Sequence, residues 1–183
     1  MSGRRLRELR DGLIKDLDLQ QGATTETVCT RLVDVMAQRL DREIRLRFDD
    51  LGGGEVSGLW AVTDAGVHVI IVTTARSWFH RLHILLHEIA HMLCGHEPMR
   101  LSEDHTRALF YPDLGPGMLH ILAGRTTLSR RDEREADELA GALAQELFEL
   151  ARQPDASLIP PEGDDPESRI WYTMAWPSKG RQP

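Results

Sequence analysis

One short segment, His87-Glu88-Ile89-Ala90-His91, places two histidines and a glutamate at a spacing that suits metal binding and proton transfer. It matches the pattern HExxH. On an α-helix, residues four apart share a face with a rise of about 6 Å, so both imidazoles can reach one metal ion. Glu88 lies about 100° round the helix from His87, where it can take a proton from a water molecule beside the metal. We expect zinc, because imidazole and carboxylate ligands suit a tetrahedral ion.

A catalytic zinc site needs a third protein ligand and one open position. A longer motif, HExxHxxGxxH, requires Gly at position 94 and His at 97, but this chain has Cys94 and Glu97 there. His83 cannot join His91 on one ion, because eight residues of helix rise about 12 Å. Cys94 is close to His91 and remains an alternative ligand, although a buried cysteine often acts as a small apolar side chain.

The last predicted helix, 130–152, supplies carboxylates for the third position. At about 100° per residue, Glu133 falls on the apolar stripe and Glu135 on the opposite, solvent side. The stripe consists of Ala136, Ala140, Leu143, Ala144, Leu147 and Ala151. Asp132 lies near the edge of the stripe and stays an alternative ligand, or interacts with the helix dipole. Asp137 is one turn beyond Glu133 and can accept the second N–H of a ligating histidine, although both carboxylates could instead pair with nearby arginines.

Regular hydrophobic patterns predict the elements that position these residues. Helical periodicity predicts four helices, of which the one containing HExxH is apolar on most faces and therefore buried. Alternation predicts three strands, and the last two form a hairpin. The expected helices are 4–19, 26–42, 78–94 and 130–152, and the expected strands are 44–48, 59–63 and 67–74. This order predicts an α+β fold with a small antiparallel sheet packed against helices.

Length and composition predict one domain followed by a tail. The chain has 183 residues, of which 41% are hydrophobic. We expect a domain over 1–153 and an extended or disordered, Pro-rich acidic tail over 154–183. A net charge of −7 disfavours broad, charge-driven binding to nucleic acid. Neither a membrane span nor a secretory signal is expected, because no long apolar run is present. With only two cysteines, the chain is expected to be cytoplasmic.

Residues 26–150 resemble the ImmA/IrrE family of zinc-dependent metallopeptidases. The resemblance rests on HEIAHMLCGH (His87–His96) and EREADELA (Glu133–Ala140), with Asp137 where the family often has asparagine. It implies a zincin-like fold with a three-stranded antiparallel sheet. It also implies that His87, His91 and Glu133 bind one zinc ion and that Glu88 is the general base.

The same resemblance implies a cytoplasmic endopeptidase that acts on a protein substrate. That substrate would be a helix-turn-helix transcriptional repressor, often one that controls a mobile element or a stress response. The chain itself is expected to make no direct contact with nucleic acid or membranes. Independently of the resemblance, strand 67–74 could pair with an extended substrate if it is a sheet edge. Candidates for stabilising the oxyanion are His105, Tyr111 and His120, which lie in an irregular segment over 97–128.

A different class of protein stays open as an alternative. The chain would then be a catalytically silent metal-binding regulatory module, or a component of a toxin–antitoxin-like pair. It would control a DNA-binding partner by contact rather than by cleavage. The arginine-rich helix 4–19 would serve as a docking element in that case, and otherwise it is a solvated amphipathic face.

Overall fold

The structure of the protein is a computed structural model, which describes residues 1–19, 23–49, 57–74, 77–102 and 128–152. The four helices are α1 (Gly3–Leu17), α2 (Thr25–Leu40), α3 (Trp78–Cys94) and α4 (Arg130–Arg152). The four strands are β1 (Ile44–Asp49), β2 (Gly58–Thr63), β3 (His68–Thr73) and β4 (Met99–Leu101). The α+β class is confirmed. The four helices and three strands named above are present, and β4 is an additional strand in a segment predicted to be irregular. A short helix suggested by the sequence over 118–122 lies outside the described residues.

The sheet is mixed and has the strand order β1-β3-β2-β4, so the prediction of a three-stranded antiparallel sheet is wrong. Strands β2 and β3 are antiparallel, but β1 pairs with β3 in parallel and β4 pairs with β2 in parallel. Alternating hydrophobicity identifies a strand but does not identify its neighbour. Because β3 lies between β1 and β2, it is not a sheet edge, and the condition under which it could pair with a substrate is not met.

The hairpin between β2 and β3 is set by a glycine in its turn. Gly66 adopts a φ of 78°, which lies in the left-handed region that side chains with a Cβ rarely adopt. Its N–H donates to the carbonyl oxygen of Thr63 at 2.8 Å, and the N–H of Thr63 donates to Val67 at 3.0 Å. This turn fixes the register of β2 against β3.

Helix α3 packs between the sheet and α4, and it is buried as predicted. Ile70 and Val72 of β3 belong to the same buried core as the apolar residues of α3. The face of α4 toward this core carries alanine and leucine side chains. These are Ala136, Leu139, Ala140, Leu143 and Leu147, all buried. The amphipathic helix α1 buries Leu13 and Leu17 in the same core.

Several predictions of the sequence concern residues that the structure does not describe. The tail over 154–183 and most of the segment over 97–128 lie outside the described ranges. The division into 1–153 and 154–183 therefore stays a prediction. No helix within the described ranges is both long and apolar enough to cross a membrane.

Candidate metal centre

The HExxH segment lies in the last turns of α3, and both ends of this helix are capped. The side chain of Ser77 accepts a hydrogen bond from the N–H of His80 at 3.3 Å and caps the start of the helix. Gly95, with a φ of 77°, ends it in the left-handed conformation. His87 and His91 are therefore held on one face of a continuous helix, and their spacing along it is fixed by the backbone.

Three side chains converge where α3 meets α4. The Nε2 atoms of His87 and His91 lie 3.0 Å apart. Glu133 Oε2 lies 3.4 Å from His87 Nε2, and Glu133 Oε1 lies 3.8 Å from His91 Nε2. A tetrahedral ion with bonds of about 2.0–2.1 Å separates its ligand atoms by about 3.3 Å. His87, His91 and Glu133 can therefore hold a metal ion in nearly their present positions.

The start of α4 aims Glu133 at α3. Ser129 and Asp132 form a reciprocal cap: Ser129 N–H donates to Asp132 Oδ2 at 3.1 Å, and Asp132 N–H donates to Ser129 Oγ at 3.2 Å. Ala136 is fully buried, and Glu133, three residues earlier, lies on the same side of the helix. Within the described residues, the carboxylate of Glu133 contacts the two histidines, and no ion pair joins it to an arginine of its own helix.

Asp137 lies against the other nitrogen of His87. Its Oδ1 atom is 3.0 Å from His87 Nδ1. The two nitrogens of this imidazole thus face different groups, because Nε2 faces Glu133 and Nδ1 faces Asp137. A carboxylate in this position holds the proton on Nδ1 and leaves the lone pair of Nε2 for a metal. The structure places Asp137 where the helical spacing predicts it.

His91 has a corresponding contact that the sequence did not predict. Its Nδ1 atom lies 2.8 Å from His96 Nδ1. His96 Nε2 in turn lies 3.7 Å from Asp132 Oδ1 and 3.7 Å from Glu135 Oε2. The sequence signal was present in Gly95, because a glycine that ends a helix turns the next residue back over the last turn.

The remaining alternative ligands take other positions. Asp132 serves as the cap of α4 and faces His96, and His83 is exposed. Among the described residues, the possible metal ligands are His87, His91 and Glu133, and none of Asp132, His83 and Cys94 belongs to this group. The prediction that Glu135 points to solvent is wrong: its side chain is 19% exposed and pairs with the terminal ammonium of Met1 at 2.9 Å. The start of α1 covers this side of α4, which a single apolar stripe does not reveal.

Glu88 is buried between α3 and β2. Its carboxylate accepts a backbone hydrogen bond from Trp60. A methyl group added to Gly58 would lie 2.7 Å from Glu88 Oε1, so the carboxylate packs directly against the backbone of β2. Burial, and then the nearby charge of Glu133, raise the pKa of Glu88 to about 8. In the absence of a cation, this carboxyl group is mostly protonated at neutral pH.

The electrostatics of His91 favour metal binding. Burial, followed by the neighbouring His87 and His96, lowers the pKa of His91 to about 4. The imidazole is therefore neutral at physiological pH and keeps a lone pair for a ligand. The oxyanion candidates His105, Tyr111 and His120 lie outside the described residues.

Comparisons with known proteins identified no relative of this chain. No family model, no curated protein and no solved structure matches the chain. What is known of the site consequently comes from its own residues and geometry.

Proposed function

We propose that the protein is a zinc-dependent endopeptidase. The observation that carries this proposal is the convergence of His87, His91 and Glu133 on one point, beside a buried glutamate of the same helix. A helix that only contributes to the core, with no metal bound, would not explain this arrangement well. Placing two imidazoles and two carboxylates side by side in a partly buried site is costly unless something compensates their polarity and charge.

The donor set fits zinc. Two neutral imidazoles and one carboxylate are the protein ligands of a known class of catalytic zinc site, which keeps a further position for water or substrate. His91 is buried, while His87 and Glu133 are half-buried, so the group can be reached from one side. A zinc ion held here would polarise the scissile carbonyl and make a water molecule nucleophilic near neutral pH.

The chain's own residues would carry the proton transfers. Glu88 would take a proton from the attacking water and pass it to the leaving amine. Its burial and the backbone N–H of Trp60 hold the carboxylate in a single place. A cation beside Glu133 would offset the negative charge that contributes to the raised pKa of Glu88, and would thereby favour the ionised form that a base requires.

The substrate class is inferred from the resemblance to the ImmA/IrrE family. On that basis the substrate is an intracellular protein, a helix-turn-helix transcriptional repressor, and cleavage would inactivate it in the cytoplasm. With β3 in the centre of the sheet, an extended substrate would have to pair elsewhere.

Glu88→Gln separates a peptidase from a silent regulatory module. The variant keeps the shape and the hydrogen-bond acceptor for Trp60 but removes the base. We expect retention of one metal ion per chain and a loss of cleavage of about 10²–10⁴-fold. New protein N-termini in cells that express wild type or variant would report cleavage, with the exposed Glu138→Gln as a control. Identical cleavage patterns and identical partner regulation would exclude the peptidase and favour control by contact.

A further inference from the structure

The turn that ends α3 folds His96 back over His91. The N–H of His96 donates to the carbonyl oxygen of His91 at 3.1 Å, and that of Gly95 donates to Met92 at 3.2 Å. This pair of bonds is the Schellman pattern, which requires a left-handed residue after the helix. As a result the two imidazole rings lie 5.0 Å apart at an angle of 62°, and the His96 side chain is only 7% exposed.

The two nitrogens of His91 have different surroundings. Nε2 faces His87 and Glu133, and Nδ1 lies 2.8 Å from His96 Nδ1. A neutral imidazole carries one proton, so an Nε2 atom that ligates a metal requires the proton on Nδ1. A proton on His91 Nδ1 at this distance needs an acceptor. His96 Nδ1 can accept it only when the proton of His96 is on Nε2.

The surroundings of His96 favour that tautomer. Its Nε2 atom has two carboxylate oxygens at 3.7 Å, one from Asp132 and one from Glu135, whose other oxygen pairs with the terminal ammonium of Met1. Negative charge on that side attracts an N–H rather than a lone pair. Within the described part of the chain this buried nitrogen has no hydrogen-bond partner, so the attraction is electrostatic.

We propose that His96 is a positioning residue of the metal centre, which accepts the Nδ1–H of His91 and thereby directs the Nε2 lone pair of His91 to the metal. It would do for His91 what Asp137 does for His87. This inference rests on the proposed function to the extent that both need the same ion. Partners of this kind typically change metal affinity by about 10–100-fold.

Three variants test the inference. His96→Leu fills a similar space but accepts no hydrogen bond, whereas His96→Asn offers an acceptor near the place of the original Nδ1 atom. Glu97→Gln changes the exposed neighbour and is the matched control. Zinc affinity is measured on the full chain by competition with a chromophoric chelator. We expect affinity to fall by about 10–100-fold in His96→Leu, and to be largely restored in His96→Asn.

A second measurement examines the hydrogen bond itself. Long-range ¹H–¹⁵N spectra of the zinc-loaded chain report the Nδ1–H proton of His91. We expect a slowly exchanging, hydrogen-bonded Nδ1–H in the wild type and faster exchange of this proton in His96→Leu. Unchanged zinc affinity in His96→Leu, or an equal loss in His96→Asn, would overturn the role of His96 while leaving the peptidase proposal in place. A wild-type chain that binds no zinc would refute the metal centre and, with it, both proposals.

Discussion

The raised pKa of Glu88 predicts how the stability of the metal-free protein depends on pH. In the folded chain the pKa rises from 4.5 to about 8. The folded state therefore holds this proton more tightly than the unfolded state does. The resulting stabilisation is complete below about pH 4.5 and is lost as the pH rises through about 8.

The window from pH 7 to 8.5 isolates this effect. Over that interval the linkage relation predicts a loss of roughly 1 kcal/mol in the free energy of unfolding from Glu88 alone. The pKa of His91 falls from 6.5 to about 4, so its contribution to the free energy of unfolding changes with pH in the opposite direction. That contribution changes mainly below pH 6.5. Cys29, whose pKa rises to about 12, contributes mainly above this window.

Urea unfolding with a chelator present measures the prediction. Glu88→Gln cannot titrate, so its unfolding free energy should change less than that of the wild type between the two pH values. The difference between the two changes should be roughly 1 kcal/mol. Glu138→Gln, which alters an exposed carboxyl group of α4, should follow the wild type. Parallel pH profiles for wild type and Glu88→Gln would refute the reasoning, because they would mean that Glu88 titrates alike in both states.

Four further predictions follow from the packing of the chain and the charges of the site. Gly58→Ala should destabilise the chain by about 1–3 kcal/mol in chemical unfolding, because the added methyl group would overlap the side chain of Ile84 and lie 2.7 Å from a carboxylate oxygen of Glu88. Gly141→Ala, where no atom lies within 4 Å of the new Cβ inside α4, should instead stabilise it by about 0.5–1 kcal/mol, and the same sign for both would contradict this account. Asp137→Asn should weaken zinc binding by about 10–100-fold in a chelator competition, while Glu138→Gln leaves it unchanged; equal affinities would show that the 3.0 Å contact with His87 has no influence on the metal. Zinc binding at pH 7, followed by calorimetry in buffers of different ionisation enthalpy, should release close to one proton fewer from Glu88→Gln than from the wild type, and equal release would argue against a protonated Glu88.

The positions of the residues that share one helix could be read from the sequence. His87 and His91 are four residues apart, and the helix geometry alone brings their rings together. The angle of Glu133 relative to the apolar stripe also indicated which carboxylate faces α3, since burial of that stripe orients α4. The position of Asp137 beside His87 could then be predicted, because Asp137 lies one helical turn from Glu133 on nearly the same face.

The arrangement of the sheet could not be read in this way. Alternation along a strand reports which side chains are buried, but the pairing of β1 with β3 and of β2 with β4 depends on contacts distant in sequence. The three-residue strand β4 is also too short to show a period. For these reasons the sheet was predicted with too few strands and without its parallel pairs.

Local periodicity by itself determined that one helix carries two imidazoles at metal-binding spacing with a glutamate beside them, and that a later helix turns a carboxylate inward. Tertiary packing decided the rest. The covering of α4 by α1 took Glu135 out of solvent, and the backbone of β2 buried Glu88. The fold-back after Gly95 brought His96 onto His91. The physical reason is that helix geometry repeats every few residues, whereas burial and hydrogen-bond partners depend on which distant segments meet.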